Sequence, residues 1–260
     1  MTLTFLGTCS GTEPMPGRRH VSFTIERNGT VYWFDAGEGC SYTAHLLGID
    51  LLAVRAIFIT HCHMDHVGGL PNLLWNMRKL NGISRDKPLS GKTVQVYLPN
   101  LVTWMGIQQL LAGTEGGFSL DYKLAASDFR DGLIFSDDGF EVTALHNNHL
   151  GPPPRPNQWQ SYSFRIEADD KSVVFSGDVE DIRELESLLD DCDLLLMETG
   201  HHQVEDICSY LRSSAKTVRR LGFLHHGRDI LDDPEGELKK ARALFGDSVF
   251  LADDGMTMEM

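Results

Sequence analysis

The chain is short of positive charge. It has 23 Lys and Arg against 37 Asp and Glu in 260 residues, a formal net charge of −14. That balance argues against a broad electrostatic surface for nucleic acid or an anionic membrane, although a local basic patch remains compatible with it. Cysteine is scarce and unpatterned. Cys9, Cys40, Cys62, Cys192 and Cys208 are odd in number and contain no Cys-x-x-Cys pair, which fits free thiols in a reducing compartment. No apolar run approaches the ~20 residues needed to cross a bilayer. The N-terminus, Met1-Thr2-Leu3-Thr4-Phe5-Leu6, alternates like a strand and lacks the basic-then-apolar pattern of a secretory signal. There is no low-complexity segment and no short-period repeat. A cytoplasmic protein without a membrane partner is expected. Hydrophobic residues make up 42% of the chain, enough for a sizeable core.

What is present is a dense cluster. Residues 60–66 read Thr-His-Cys-His-Met-Asp-His and follow the apolar run Ala56-Ile57-Phe58-Ile59. Imidazole and carboxylate are ligands that borderline cations such as zinc favour, and a loop at a strand end can aim several at one point. Side chains alternate along an extended stretch, so His61 and His63 project to one side and Cys62 to the other. A following turn can bring Asp65 and His66 to a second ion. Gly68-Gly69 and Pro71 then open an amphipathic helix with Leu70, Leu73, Leu74 and Met77 on its apolar face.

Strand-like stretches recur: Thr2–Leu6, Ser22–Arg27, Val31–Asp35, Ala56–Ile59 and Gln95–Leu98, then Phe140–Leu145, Ser161–Glu167, Ser172–Ser176, Asp193–Met197, Leu221–Leu224 and Val249–Leu251. Asn28-Gly29 marks a tight hairpin turn. Helical periodicity covers Leu70–Leu80, Leu101–Leu111, Ile182–Leu189, Val204–Leu211 and Pro234–Phe245. Each half thus has a run of strands followed by strands alternating with helices. That order predicts an α/β four-layer αββα sandwich with two mixed sheets, in one domain over residues 1–260 with pseudo-repeat halves of roughly 1–120 and 121–260. The segment 151–156, Gly-Pro-Pro-Pro-Arg-Pro, is too short for an interdomain linker and reads as a stiff loop. Trp75, Met77, Trp104 and Met105 could form a dimer surface, but apolar positions at helical spacing more often belong to a core.

Further ligand-type residues stand at later strand ends. His149 follows Phe140–Leu145, Asp178 follows Ser172–Ser176, and His225 follows Leu221–Leu224. Ligands in α/β sheets collect at the carboxyl edge of the strands, so three such residues at successive strand ends point to one site. His146 and His226 are alternatives to His149 and His225 on spacing alone.

With these residues in view, the chain resembles the metallo-β-lactamase-fold hydrolases, and within them the ribonuclease Z-like, phosphodiesterase branch. The resemblance rests on Phe5-Leu6-Gly7-Thr8 with Gly11, Phe34-Asp35-Ala36-Gly37-Glu38-Gly39, Thr60-His61-x-His63-x-Asp65-His66 and Ser176-Gly177-Asp178, in the family's order. It implies two divalent ions, zinc first, with manganese or iron as alternatives. His61, His63 and His149 would hold one and Asp65, His66 and His225 the other, with Asp178 bridging. It prefers His149 to His146, through the pattern Val142-Thr143-x-Leu145-x-x-Asn148-His149. It prefers His225 to His226, two residues after the strand's last apolar position, Phe223. A pair of ions about 3.5–4 Å apart lowers the pKa of bound water and can share a hydroxide. Asp65 would also orient or deprotonate that water. Asp35 would hold a ligand histidine in its tautomer, a role compatible with ending a strand before the Gly37 turn.

Phosphodiester cleavage benefits from an acid that protonates the leaving oxygen. The run Glu198-Thr199-Gly200-His201-His202 supplies candidates at a strand end. His202, with His201 as the alternative, is expected to act as the acid, positioned by Glu198; helix capping is the plainer role for the same run. Arg228 and His226 are candidate contacts to substrate, Arg228 through its planar guanidinium. Arg18-Arg19-His20 is a weaker candidate for the same mouth.

The sequence departs from ribonuclease Z in several places. No segment resembles the long glycine- and lysine-rich arm that grips transfer RNA. Gly200-His201-His202-Gln203 replaces the histidine-serine-threonine signature, Gly227-Arg228-Asp229 replaces the serine-arginine-tyrosine segment, and Cys40-Ser41 replaces threonine-glutamine. With the acidic charge, these departures argue against transfer RNA as a partner. The expected protein is a dinuclear phosphodiesterase acting on a small, anionic, nucleotide-like substrate through a metal-bridging hydroxide. A lactone or thioester hydrolase, a ribonuclease Z-type endonuclease and a non-hydrolytic accessory protein are the alternatives. The resemblance also implies a homodimer.

Overall fold

Asn28 and Gly29 both take positive φ, 51° and 72°, the backbone that a two-residue turn needs to match strand twist. The hairpin they close belongs to the first of two seven-stranded sheets in the protein, seen here in a computed structural model that describes residues 1–12, 15–114 and 117–260. In chain order the strands are β1 (Thr2–Gly7), β2 (Ser22–Arg27), β3 (Thr30–Phe34), β4 (Val54–Phe58), β5 (Thr93–Tyr97), β6 (Lys123–Ser127), β7 (Gly132–Asp137), β8 (Phe140–His146), β9 (Tyr162–Ala168), β10 (Lys171–Phe175), β11 (Cys192–Thr199), β12 (Val218–His226), β13 (Val249–Leu251) and β14 (Thr257–Glu259). The helices are α1 (Cys40–Leu46), α2 (Met64–Val67), α3 (Leu70–Ile83), α4 (Leu101–Ala112), α5 (Val204–Ser213), α6 (Arg228–Asp232) and α7 (Pro234–Phe245).

The chain divides into two compact units. The first comprises Met1–Gly7, Pro14–Phe129 and Asp254–Met260. Its sheet runs β14-β1-β2-β3-β4-β5-β6, antiparallel from β14 to β3 and parallel from β3 to β6. One face packs against α1, α3 and α4 through Trp33, Ile57, Val96, Ala44, Leu70, Leu73, Leu74, Met77, Trp104 and Ile107, all buried. Met77 and Trp104 are therefore core residues, whereas Met105 is 56% exposed. The other face carries a row of in-register rings, Phe5, Phe23, Phe34, Phe58 and Tyr97, one per strand from β1 to β5. Neighbouring centroids are 5.0–6.2 Å apart, within the range where aromatic pairs attract beyond their burial.

The second unit comprises Thr8–Glu13 and Arg130–Asp253. Its sheet runs β13-β12-β11-β10-β9-β8-β7, antiparallel from β7 to β10 and parallel from β10 to β13. Val174, Leu195, Met197, Leu221 and Phe223 pack against Val204, Ile207, Cys208, Leu211 and Ala241 of α5 and α7. The run Leu194–Met197 is apolar throughout and wholly buried, as expected of a strand covered on both faces.

The units divide at Phe129/Arg130, with Thr8–Glu13 counted in the second and Asp254–Met260 in the first. β6 extends the first sheet in parallel with β5, and β14 returns to pair with β1. Neither strand was readable from periodicity. Both lie at sheet edges, and β6 has no buried residue, so neither shows the alternation of a half-buried strand. The segment Ile182–Leu188 is a 3₁₀ helix, not an α-helix, opened by a capping box between Asp181 and Glu184. No helix among the described residues is long and apolar enough to cross a membrane.

Candidate metal centre

In the first unit, β3 and β4 run in parallel, so their carboxyl ends meet at one edge. Past the end of β3, Asp35 takes φ 49°, a left-handed conformation rarely adopted by a side-chain-bearing residue. Its carboxylate is fully buried and faces the end of β4. There Oδ1 accepts from the Thr60 backbone N–H at 2.7 Å and Oδ2 from the Thr60 hydroxyl at 2.8 Å. Oδ2 also lies 2.7 Å from His66 Nδ1. A carboxylate can only accept, so His66 carries its proton on Nδ1 and presents the lone pair of Nε2. Burial pushes the Asp35 carboxyl above its usual range, against the pull of His66 and Thr60.

His61 and His63 do project to the same side: His61 Nε2 and His63 Nδ1 are 3.0 Å apart. Cys62, between them, packs against the helical core. The single turn α2 then brings Asp65 Oδ2 to 3.5 Å from His66 Nε2. Close packing holds this turn. A Cβ on Gly69 would lie 2.1 Å from the Gly37 carbonyl oxygen, and one on Gly37 would lie 2.5 Å from the Asp65 carbonyl oxygen. The Asp35–Gly39 and His61–Gly69 segments can therefore sit together only with glycine at both contacts.

In the second unit, β8, β10, β11 and β12 all point the same way, because β8 and β10 are each antiparallel to β9. Their carboxyl ends deliver His149, Asp178, Glu198 and His225 to one edge. Asp178 is buried. Its Oδ1 lies 3.4 Å from His225 Nε2 and its Oδ2 lies 3.6 Å from His149 Nε2. His146 has other partners, bonded through Nδ1 to Asp131 at 2.6 Å and stacked on Trp159. His225 is the extra residue of a β-bulge: Glu198 pairs with Leu224, and Thr199 with His226. It takes φ 54°. A bulge of this kind re-aims a side chain, and here it swings the imidazole to Asp178.

His226 was expected to touch substrate, and the structure corrects this. It is fully buried, with Nε2 2.7 Å from the Ala252 carbonyl oxygen. Its backbone grips the strand-like segment after β1, donating to the Thr8 carbonyl at 2.7 Å and accepting from the Ser10 N–H at 3.1 Å. It is a structural residue. Arg228 is exposed at the start of α6. Arg19 is tied through its backbone N–H to Asp254, which accounts for part of the Arg18-Arg19-His20 run structurally.

Both histidines of the run lie beside Glu198, His201 through Nδ1 at 3.0 Å and His202 through Nε2 at 3.4 Å. Glu198 is buried, and its Oε2 accepts the His201 backbone N–H at 2.9 Å while Oε1 lies 3.0 Å from His201 Nδ1. His201 stands beside Asp178 and His225, its ring stacked on that of His225 at 5.9 Å. Atoms of Asp178, His201 and His225 that can bind a cation lie within 4.8 Å of one another. His202 Nε2 bonds the Val179 carbonyl oxygen at 3.0 Å, with Glu198 Oε1 3.4 Å from the same nitrogen. The turn at Gly200 decides between the two neighbours; a Cβ there would lie 2.7 Å from His225 Nδ1. Burial alone would raise the Glu198 carboxyl, but the bond from His201 and the nearby His225 ring outweigh it and hold the group well below the usual carboxylate range. The same bond raises the pKa of His201.

Both donor sets suit a divalent cation. Ligands about 2.1 Å from one ion at tetrahedral angles stand about 3.4 Å apart. The separations here, 3.0 Å for His61–His63, 3.5 Å for Asp65–His66, and 3.4 and 3.6 Å around Asp178, match that spacing. The mix of neutral imidazole and carboxylate is the chemistry of zinc and its neighbours.

The chain is similar to ribonuclease Z of Methanothermobacter thermautotrophicus, 33% identical over 151 residues, which is 57% of this chain and 45% of that protein. The chain thus aligns with less than half the length of that relative. Ribonuclease Z of Listeria monocytogenes is 28% identical over 252 residues, 95% of this chain and 69% of that protein. Among solved structures, the metallo-β-lactamase fold protein YhfI from Bacillus subtilis is 17% identical, covers 99% of both chains and superposes with a TM-score of 0.73. The expected fold class, the metallo-β-lactamase fold with two mixed sheets, is therefore the observed one. The profile of a family described as "Anti-Pycsar protein Apyc1" matches residues 1–242, and the chain belongs to that family.

Proposed function

We propose that the protein is a dinuclear, metal-dependent hydrolase that cleaves a small phosphate diester of nucleotide-like character. The observation that carries this reading is the ligand chemistry: histidine and aspartate donors at ion-sharing distances within each unit, with an aspartate in both sets. His61, His63 and His149 are the proposed ligands of one ion, Asp65, His66 and His225 of the other, and Asp178 is common to both. Divalent ions held there would lower the pKa of water and offset charge on the phosphoryl oxygens. Asp65 orients the attacking water. Asp35 fixes the tautomer of His66.

His201 takes the role of proton donor to the leaving oxygen. Its Nδ1 is engaged by Glu198, which leaves Nε2 to face substrate, and a raised pKa keeps the ring protonated closer to neutrality. His202, bound to a backbone carbonyl, serves to hold the turn. The reading of a small substrate over transfer RNA rests on the charge of −14. Likeness to ribonuclease Z supports the second reading, an RNA endonuclease.

The test compares bis-p-nitrophenyl phosphate, a simple lactone, a thioester and a precursor transfer RNA, each with zinc or manganese. Metal-dependent turnover of the diester is expected, with His201→Ala lowering kcat at least about 100-fold and His202→Ala far less. Turnover of the lactone or thioester without the diester would overturn the proposal. Preference for the transfer RNA would replace it with the second reading.

A further inference from the structure

β8 ends at His146 and β9 begins at Tyr162, and the two residues are direct register partners. A two-residue turn can join antiparallel neighbours. Here residues 147–161, fifteen in all, intervene. Connections that long without secondary structure are uncommon and usually functional. This one carries His149 near its start and four prolines in its middle, which restrict its backbone.

Near its end is Trp159, whose indole lies over the His146 ring with centroids 4.0 Å apart and planes 20° from parallel. His146 is itself fixed by both oxygens of one carboxylate. Its Nδ1–H donates to Asp131 Oδ2 at 2.6 Å, and its backbone N–H donates to Oδ1 at 2.7 Å. The pair is not buried: the His146 side chain is 33% exposed, and Trp159 is half-buried. His146 and His149 are three peptide steps apart, so their Cα atoms are separated by at most about 11 Å.

A flat, braced and accessible ring pair on the loop that supplies a candidate ligand has the form of a stacking platform. Aromatic side chains hold bases this way because every base has a π-face. Pre-bracing by His146, Asp131 and the prolines reduces the ordering cost of binding. We propose that Trp159 is the platform for the planar ring of a nucleotide or aryl phosphodiester whose phosphate lies at the His149, Asp178 and His225 cluster. This rests on the phosphodiesterase reading above and names its substrate class. Trp159 is a specificity residue, with His146 and Asp131 as its positioning residues.

The test uses the full chain with metal, and Trp159→Ala and Trp159→Phe variants. Two diesters are compared: thymidine 5′-p-nitrophenyl phosphate, which has rings, and glycerophosphocholine, which has none. Trp159→Ala should raise KM for the ring-bearing diester about tenfold more than for the other, with Trp159→Phe recovering most of the loss. In parallel, calorimetry on the metal-loaded protein measures a nucleoside monophosphate, which carries no diester to cleave and whose affinity should fall about tenfold in Trp159→Ala. Equal changes for both diesters would mean that the stack only staples the loop, and would overturn the platform, as would unchanged nucleotide affinity. No turnover of either diester by the unsubstituted protein would overturn the phosphodiesterase reading, and the calorimetric result would still decide the platform.

Discussion

Three pairs of neighbouring ligand-type histidines occur in this chain, and in each pair one member lies near Asp178 while the other has different partners. His149 faces Asp178 and His146 stacks on Trp159. His225 faces Asp178 and His226 binds the Ala252 carbonyl. His201 lies near Asp178, and His202 binds the Val179 carbonyl, with Glu198 beside both. Spacing cannot separate such neighbours, because the choice is made by a bulge at residue 225, a turn at Gly200 and a long connection after His146. The cluster at residues 61–66 was legible because its alternation is local and needs no distant partner. Asp35 was legible only as a candidate; its three acceptor contacts show what it does. It sets which nitrogen of His66 is available to a cation. Asp35→Asn should therefore weaken zinc binding about 10- to 100-fold, measured by competition with a chelator. Unchanged affinity would show that His66 needs no orientation by Asp35.

At the level of elements, periodicity located the long helices and the buried strands to within a few residues, since both bury a regular face. It missed α1, α2 and α6, of seven, four and five residues. Such short helices are too brief to show a hydrophobic period, and packing, not propensity, holds them. It also ended β11 and β12 early, because Glu198, Thr199, His225 and His226 are polar residues inside strands. The aromatic row across the first sheet makes a separate claim. Phe34 is buried and stacked between Phe23 and Phe58 at 5.0 Å on each side. Phe34→Ala should cost about 3–5 kcal/mol of unfolding free energy in urea titration, whereas Tyr42→Ala, on a residue 60% exposed, should stay within about 0.5 kcal/mol. A loss below about 1 kcal/mol at Phe34 would mean that the row contributes little.

For the whole molecule, the fold was legible from the order of strands and helices, but the place of the last strand was not. Edge strands carry little apolar signal, so the exchange of the terminal strand β14 into the first sheet could not be read from one sequence. Charge bears on the substrate at this scale. A chain at −14 attracts an anionic ester only through local positive charge, which bound divalent ions would provide. The most direct measurement is a titration of chelator-treated protein with zinc, following bound metal and hydrolysis of bis-p-nitrophenyl phosphate together. A dinuclear centre gives no turnover without metal, saturation at two ions per chain, and full activity only after the second ion binds. Turnover in the chelated protein, or full activity with a single ion, would contradict it.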